Sequence, residues 1–162
     1  MKKFIFLVLI FTSSAVFAAP KTVQDWLVDL TVEYSESYTY NETQSLFGMI
    51  CYDKCIYYLS PVSITCQEGS EYSILMNAES DSRAIDTRCI KMQDKFIRVL
   101  LDFDTVHKAT LNSTYIGFAF SVKGGAFNVS RFSLKGAKSA ITQALTNSLN
   151  TKKNSSNRDT RL

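Results

Sequence analysis

Tyr115-Ile116-Gly117-Phe118-Ala119-Phe120-Ser121-Val122, then Lys123-Gly124-Gly125, then Ala126-Phe127-Asn128-Val129-Ser130-Arg131-Phe132, is the stretch that decides the fold. Two runs of strand-forming residues flank a Gly-Gly pair, which supplies the positive φ values a tight hairpin turn needs. On the return run Phe127, Val129 and Arg131 share one face, and Asn128, Ser130 and Phe132 share the other. Ser133 then stands where a helix N-cap belongs. Beyond it Leu134, Ala137, Ile141, Ala144, Leu145 and Leu149 recur at helical spacing, which predicts a terminal helix laying this stripe on a sheet. Gly136 weakens the first turn by about 1 kcal/mol relative to alanine, which leaves the helix start free to slip.

Upstream of this pair the chain repeats the strand theme without any βαβ alternation. Strands are predicted over Trp26–Tyr34, Val62–Cys66, Tyr72–Met76, Ala84–Met92 and Phe96–Asp102, with Leu46–Cys51 and Cys55–Leu59 forming a hairpin. Glu36–Gln44 and Asn77–Arg83 are polar and read as loops, the first also as a frayed edge. Eight or nine short strands with one terminal helix predict a mainly β domain, a small antiparallel sandwich or barrel with one C-terminal helix.

The two ends frame this domain differently. Met1-Lys2-Lys3, the apolar run Phe4–Phe11 and the small-residue close Ala15-Val16-Phe17-Ala18 predict a signal peptide over residues 1–18, cleaved before Ala19. An apolar core of that length is too short to span a bilayer of roughly 30 Å, and no later stretch reaches about twenty apolar residues, so the mature chain is expected to carry no transmembrane span. Residues 19–149 then form a single domain, long enough for a hydrophobic core. Residues 150–162 are polar and basic and are expected to form a disordered tail. From Ala19 to Leu134 there are 14 acidic and 10 basic residues, and from Lys135 onward 6 basic residues against Asp159 alone. A mildly acidic body with a basic tail is not the profile of a nucleic-acid-binding protein.

All four cysteines, Cys51, Cys55, Cys66 and Cys89, lie in the mature part. An even count in an exported chain argues for disulfides, because the periplasm and the extracellular space are oxidising. Of the three pairings the hairpin geometry favours Cys51–Cys55, with Tyr52-Asp53-Lys54 as the loop, and so leaves Cys66–Cys89. Neither the thioredoxin C-x-x-C nor a zinc spacing fits these positions.

The chemistry-bearing residues are few. Leu100-Leu101-Asp102-Phe103-Asp104-Thr105-Val106-His107 resembles the D-x-D-x-[TV] motif of haloacid-dehalogenase-type phosphotransferases. On a strand Asp102 and Asp104 would share a face, and with His107, the sole histidine, they are the candidate metal ligands of a metal-assisted hydrolase or phosphatase. That family needs a parallel sheet with helices and a further acidic pair downstream, whereas here the motif comes late and Asp159 is the one acidic residue after Asp104. No G-x-S-x-G motif supports a serine hydrolase. The residues therefore name no catalytic set and no cofactor, and they read as a non-enzymatic domain.

Tyr34, Tyr38, Tyr40, Tyr52, Tyr57 and Tyr58 crowd the segment around the cysteine hairpin. Tyr38, Tyr40, Tyr52 and Tyr57 are the candidate binding residues, because a tyrosine offers large contact area with a polar tip. The expected role is macromolecular binding at the cell envelope or host interface, to an unknown protein or envelope component. A secreted enzyme inhibitor is the variant of that role.

The segment Phe127–Ala137 running into Ile141 also resembles the close of the invasion-associated locus B family of exported proteobacterial proteins. In that family too a last strand runs into a Ser-Leu-x-Gly helix start. This resemblance implies an envelope or surface protein of β-sandwich type with no assigned catalysis, and it carries over no functional residue.

Overall fold

The computed structural model describes residues 19–61, 66–92, 94–122 and 124–159, with side chains up to Lys153. The signal peptide expected over residues 1–18 and most of the strand expected over Val62–Cys66 lie outside the described residues.

Among the described residues ten strands form one antiparallel sheet: β1 (Lys21–Val23), β2 (Trp26–Leu30), β3 (Ser35–Tyr40), β4 (Leu46–Cys51), β5 (Cys55–Ser60), β6 (Glu71–Ala78), β7 (Asp81–Met92), β8 (Lys95–Leu100), β9 (Tyr115–Ser121) and β10 (Phe127–Ser133). Their order is β1-β2-β3-β4-β5-β8-β7-β6-β9-β10, so the chain meanders through β5, crosses to β6 and returns by the hairpins β6–β7–β8. The described residues also form two helices, α1 (Phe103–Leu111) and α2 (Ala137–Asp159). The mainly antiparallel β class is as the residues predict. The barrel alternative does not hold, because β1 and β10 remain unpaired edges.

The sheet curls around one core. Trp26, Phe47, Met49, Tyr57, Met76, Ile116, Phe118 and Phe132 from six strands meet there with Val106 of α1 and Ile141 of α2. Ring contacts tie the layers together: Phe47 packs edge-on against Trp26 and stacks on Tyr57 at 5.8 Å. The Gly124–Gly125 pair has the predicted positive φ, +91° and +78°, and Phe127 opposes Ser121 across the hairpin.

Both disulfides have the favoured pairing. Cys51–Cys55 joins opposed residues of the β4–β5 hairpin. Cys66–Cys89 ties the crossover after β5 to β7.

Three local readings are corrected. Ser35–Tyr40 is not a loop but a strand inside the sheet. Its inward residues Ser35, Ser37 and Thr39 are fully buried and small, which hid the alternation from a count of apolar positions. The face they leave is covered by α2 through Ala140 and Ala144, also buried, and Asn147 Nδ2 donates to Ser35 Oγ at 2.9 Å. Asn77–Arg83 belongs mostly to the β6–β7 hairpin, whose pairing runs on to Ala78 and Asp81.

The third correction concerns the residues after β8. They form α1, a second helix, where the sequence suggested a strand ending at Asp102. The Asp102 carboxylate accepts the Thr105 N–H at 3.1 Å as an N-cap, Asp104 sits in the first turn and Lys108 in the last, each favourable against the helix dipole.

Ser133 ends β10 rather than capping a helix, and α2 starts at Ala137. The link between them holds the far ends of the sheet together. Trp26 Nε1 donates to the Ser133 carbonyl at 3.0 Å, Ser133 Oγ donates to Asp25 at 2.7 Å, and the Asp25 N–H donates to the Lys135 carbonyl at 3.2 Å. Gly136 follows with φ of +93°. Leu149 is exposed, so the buried stripe of α2 runs through Ala137, Ala140, Ile141, Ala144 and Ser148 instead. The helix continues past Asn150 to Asp159, and Lys152 Nζ donates to the Asp53 carbonyl.

Candidate binding surface

Strand alternation sends the residues between Ser35, Ser37 and Thr39 to the outside of the sheet. Tyr34, at the entry to β3, and Glu36, Tyr38 and Tyr40 therefore form one outward row. Tyr38 opposes Gly48 of β4, and Gly48 opposes Tyr58 of β5. A Cβ on Gly48 would lie 2.7 Å from Tyr38 Cβ and 2.8 Å from the Ser37 carbonyl oxygen, so only glycine lets β3 approach this closely. Tyr38 and Tyr40 meet edge to face with centroids 5.6 Å apart. Tyr52, from the disulfide hairpin, leans on Tyr34 at 5.8 Å. Beyond them Ile50, Tyr58 and Ile97 make a second, smaller apolar cluster on this outer face.

Two carboxylates sit within the aromatic row. Asp29 of β2 directly opposes Glu36 of β3. The Tyr34 hydroxyl donates to Asp29 Oδ2 at 2.9 Å, and the Tyr58 hydroxyl donates to Glu36 Oε1. The hydrogen bond to Asp29, with partial burial, pushes the Tyr34 phenol up to about 12. Burial raises the Glu36 carboxyl above its ordinary value and Asp29 adds to this, while the Tyr58 hydrogen bond opposes it. Beside this row lies a cleft of about 410 Å³ between the β2–β3 turn, the Cys51–Cys55 hairpin and the end of α2. Its walls include Glu33, Tyr52, Asp53 and Lys152.

The four candidate tyrosines thus divide. Tyr40 and Tyr52 are each 47 % exposed, and Tyr38 is half-buried beside them. Tyr57 points inward and is fully buried in the core. Asp29 and Glu36 escaped the sequence reading because β3 was read as a loop. The signal was the period-two spacing of Tyr34, Glu36, Tyr38 and Tyr40.

Asp102, Asp104 and His107 come together only as neighbours on α1. Asp102 is occupied as the N-cap, and its hydrogen bonds from Thr105 hold the carboxyl below its ordinary value. Asp104 is exposed. His107 stacks on Phe103 at 5.4 Å, and its Nδ1 lies 2.8 Å from the Tyr57 hydroxyl. Burial lowers the imidazole below its ordinary value against the opposing pull of Asp104, so it is neutral near pH 7 and can accept that hydroxyl proton. The shared strand face on which the metal reading rested is absent. Among the described residues no three His, Cys, Asp or Glu side chains are grouped to hold a metal ion, and no helix is long and apolar enough to cross a membrane.

The architecture defines a class, a curled, open antiparallel sheet stapled by two disulfides and closed on one side by a terminal helix. No family model matches the chain, and no curated protein matches its sequence. Among solved structures it is similar to invasion associated protein B from Bartonella henselae, with a TM-score of 0.56 over 80 % of this chain and 97 % of that one. Identity is 10 %, so the likeness is one of fold. The resemblance read from Phe127–Ile141 is borne out at that level.

Proposed function

We propose that this chain is an exported, non-enzymatic domain that works by binding another macromolecule at the cell envelope or a host interface. The observation that carries this reading is the outward row of Tyr34, Tyr38 and Tyr40 with Tyr52 beside it, four phenols gathered on one face of the sheet. Aromatic residues with polar tips are enriched at protein interfaces, where they supply area at small entropic cost. Two disulfides support an oxidising compartment, periplasmic or extracellular.

The test compares the mature domain with a Tyr38→Ala/Tyr40→Ala/Tyr52→Ala variant as bait, in envelope extract and in host fluid. A partner retained by the wild type and lost by a variant with unchanged circular dichroism supports the reading. Equal capture by both, or no specific partner from either source, overturns it. Mass spectrometry of the secreted product checks export separately, with an N-terminus at Ala19 and no free thiol as the expected result.

A further inference from the structure

The Asp29–Glu36 pair says what kind of partner the outer face takes. Like charges directly opposite on neighbouring strands destabilise a sheet, and the ordinary remedy is a cation beside them. Here the ion pairs among the described residues are Arg83–Asp81 and Arg88–Glu71, both elsewhere on the sheet. What meets Asp29 and Glu36 is neutral: the phenols of Tyr34 and Tyr58, and on the next strand Ile50, opposite Glu36. Glu33 and Asp53 add negative charge along the adjoining cleft, and Lys152 on its wall gives an N–H to the Asp53 backbone.

We propose that this face docks a basic segment of a partner polypeptide, with one arginine or lysine side chain seated between the Asp29–Glu36 pair and the rings of Tyr34 and Tyr38. The inference rests on the binding role proposed above and specifies its ligand. Charge complementarity selects the cation, and aromatic faces beside it add cation–π attraction. A guanidinium fits best, because its planar fork can reach both carboxylates while stacking on a ring. A bare divalent ion fits poorly. It needs six or more oxygen ligands, whereas the two phenols here already donate to the carboxylates.

The probe is an amidated hexa-arginine peptide, titrated into the mature domain by calorimetry and by NMR of the tyrosine rings, with hexa-glutamate as the opposite charge. Binding of the arginine peptide alone, with shifts at the Tyr34 and Tyr38 rings, is expected. The Asp29→Asn/Glu36→Gln variant keeps an acceptor for each phenol and should weaken binding at least about tenfold. A Glu68→Gln/Asp104→Asn variant removes the same charge from distant turns and helix, and should stay within about twofold of wild type.

Equal weakening by the two variants would reduce the effect to overall charge and overturn the inference. So would absence of binding, or shifts confined to other rings. If the charge variant fails to fold, the ring shifts in the wild type decide alone. A wild-type dimer in sedimentation that the charge variant disperses would make a second copy the occupant, and would overturn the partner assignment. A native partner that needs the tyrosines but ignores Asp29 and Glu36 would sink this inference and leave the binding role standing.

Discussion

Gly136 lies so close beneath Val23 that a Cβ added to it would sit 2.3 Å from the Val23 carbonyl oxygen. Its φ of +93° is also one that other residues rarely adopt. Gly136→Ala therefore meets a backbone clash and an unfavourable dihedral together, and should lower stability by well over 2 kcal/mol in urea unfolding. Gly69 is the control: its φ is +77° with nothing within 4 Å of an added Cβ. Gly69→Ala should cost only about 1 kcal/mol, the conformational share alone. Equal losses at the two sites would mean that the approach to Val23 is not tight in solution.

His107 has a depressed folded-state value because it is buried against Phe103 and Tyr57. The unfolded chain then binds a proton more readily than the folded one, so stability rises with pH through this window. The contribution is complete above the ordinary histidine value of 6.5 and is lost as pH falls through the folded value. Replacing His107 by Gln should flatten the wild-type decline in melting temperature between about pH 7 and 5. An unchanged slope would show that the imidazole is solvated. Tyr57→Phe, by removing one hydrogen bond to it, should cost about 1 kcal/mol at pH 7.

Glu36 runs with the opposite sign. Its folded-state value is raised, chiefly by burial, so the folded protein holds the proton longer and stability falls as pH rises above the ordinary value of 4.5. Glu36→Gln should leave the protein at least as stable as wild type near neutrality, and the difference should shrink below about pH 4. Paired melting curves from pH 3.5 to 7 measure it. A variant less stable than wild type at pH 7 would mean the ionised carboxylate is favourably paired.

Asp102 acts through its cap. Asp102→Ala should cost about 1 kcal/mol, whereas Asp102→Asn, which also caps, should cost far less. Both are expected to leave binding by the tyrosine face unchanged in the hexa-arginine titration. A loss of magnesium or calcium binding in either variant would restore the metal reading of this segment.

Much of the β class was legible because two signals stand alone in short windows. Gly124–Gly125 between aromatic runs specifies its hairpin locally, and Cys51-x-x-x-Cys55 specifies another. β3 was illegible for a physical reason. Its buried face is Ser35, Ser37 and Thr39, which suits the close approach of an alanine-lined helix, and only long-range packing makes those residues inward. Helix α1 was obscured by β-branched Thr105, Val106 and Thr110, which lower helix propensity. Its cap and end charges were nevertheless present in Asp102, Asp104 and Lys108. The binding face suffered with β3: Tyr38, Tyr40 and Tyr52 stood out by residue type, but the pairing of Asp29 with Glu36 depends on register. Tyr57, identical in type, turned inward by the parity of its strand.

In chain order the strands β1 and β2 come long before the Ser133–Gly136 link that clasps them. The Asp25 and Trp26 side chains meet Ser133 only after more than a hundred further residues have been made. A nascent chain halted before that point leaves Trp26 without its terminal lock and the inward face of β3 without its lid. The domain thus closes late in its own synthesis, and its inner face stays open to proteases and chaperones until the link and α2 have emerged.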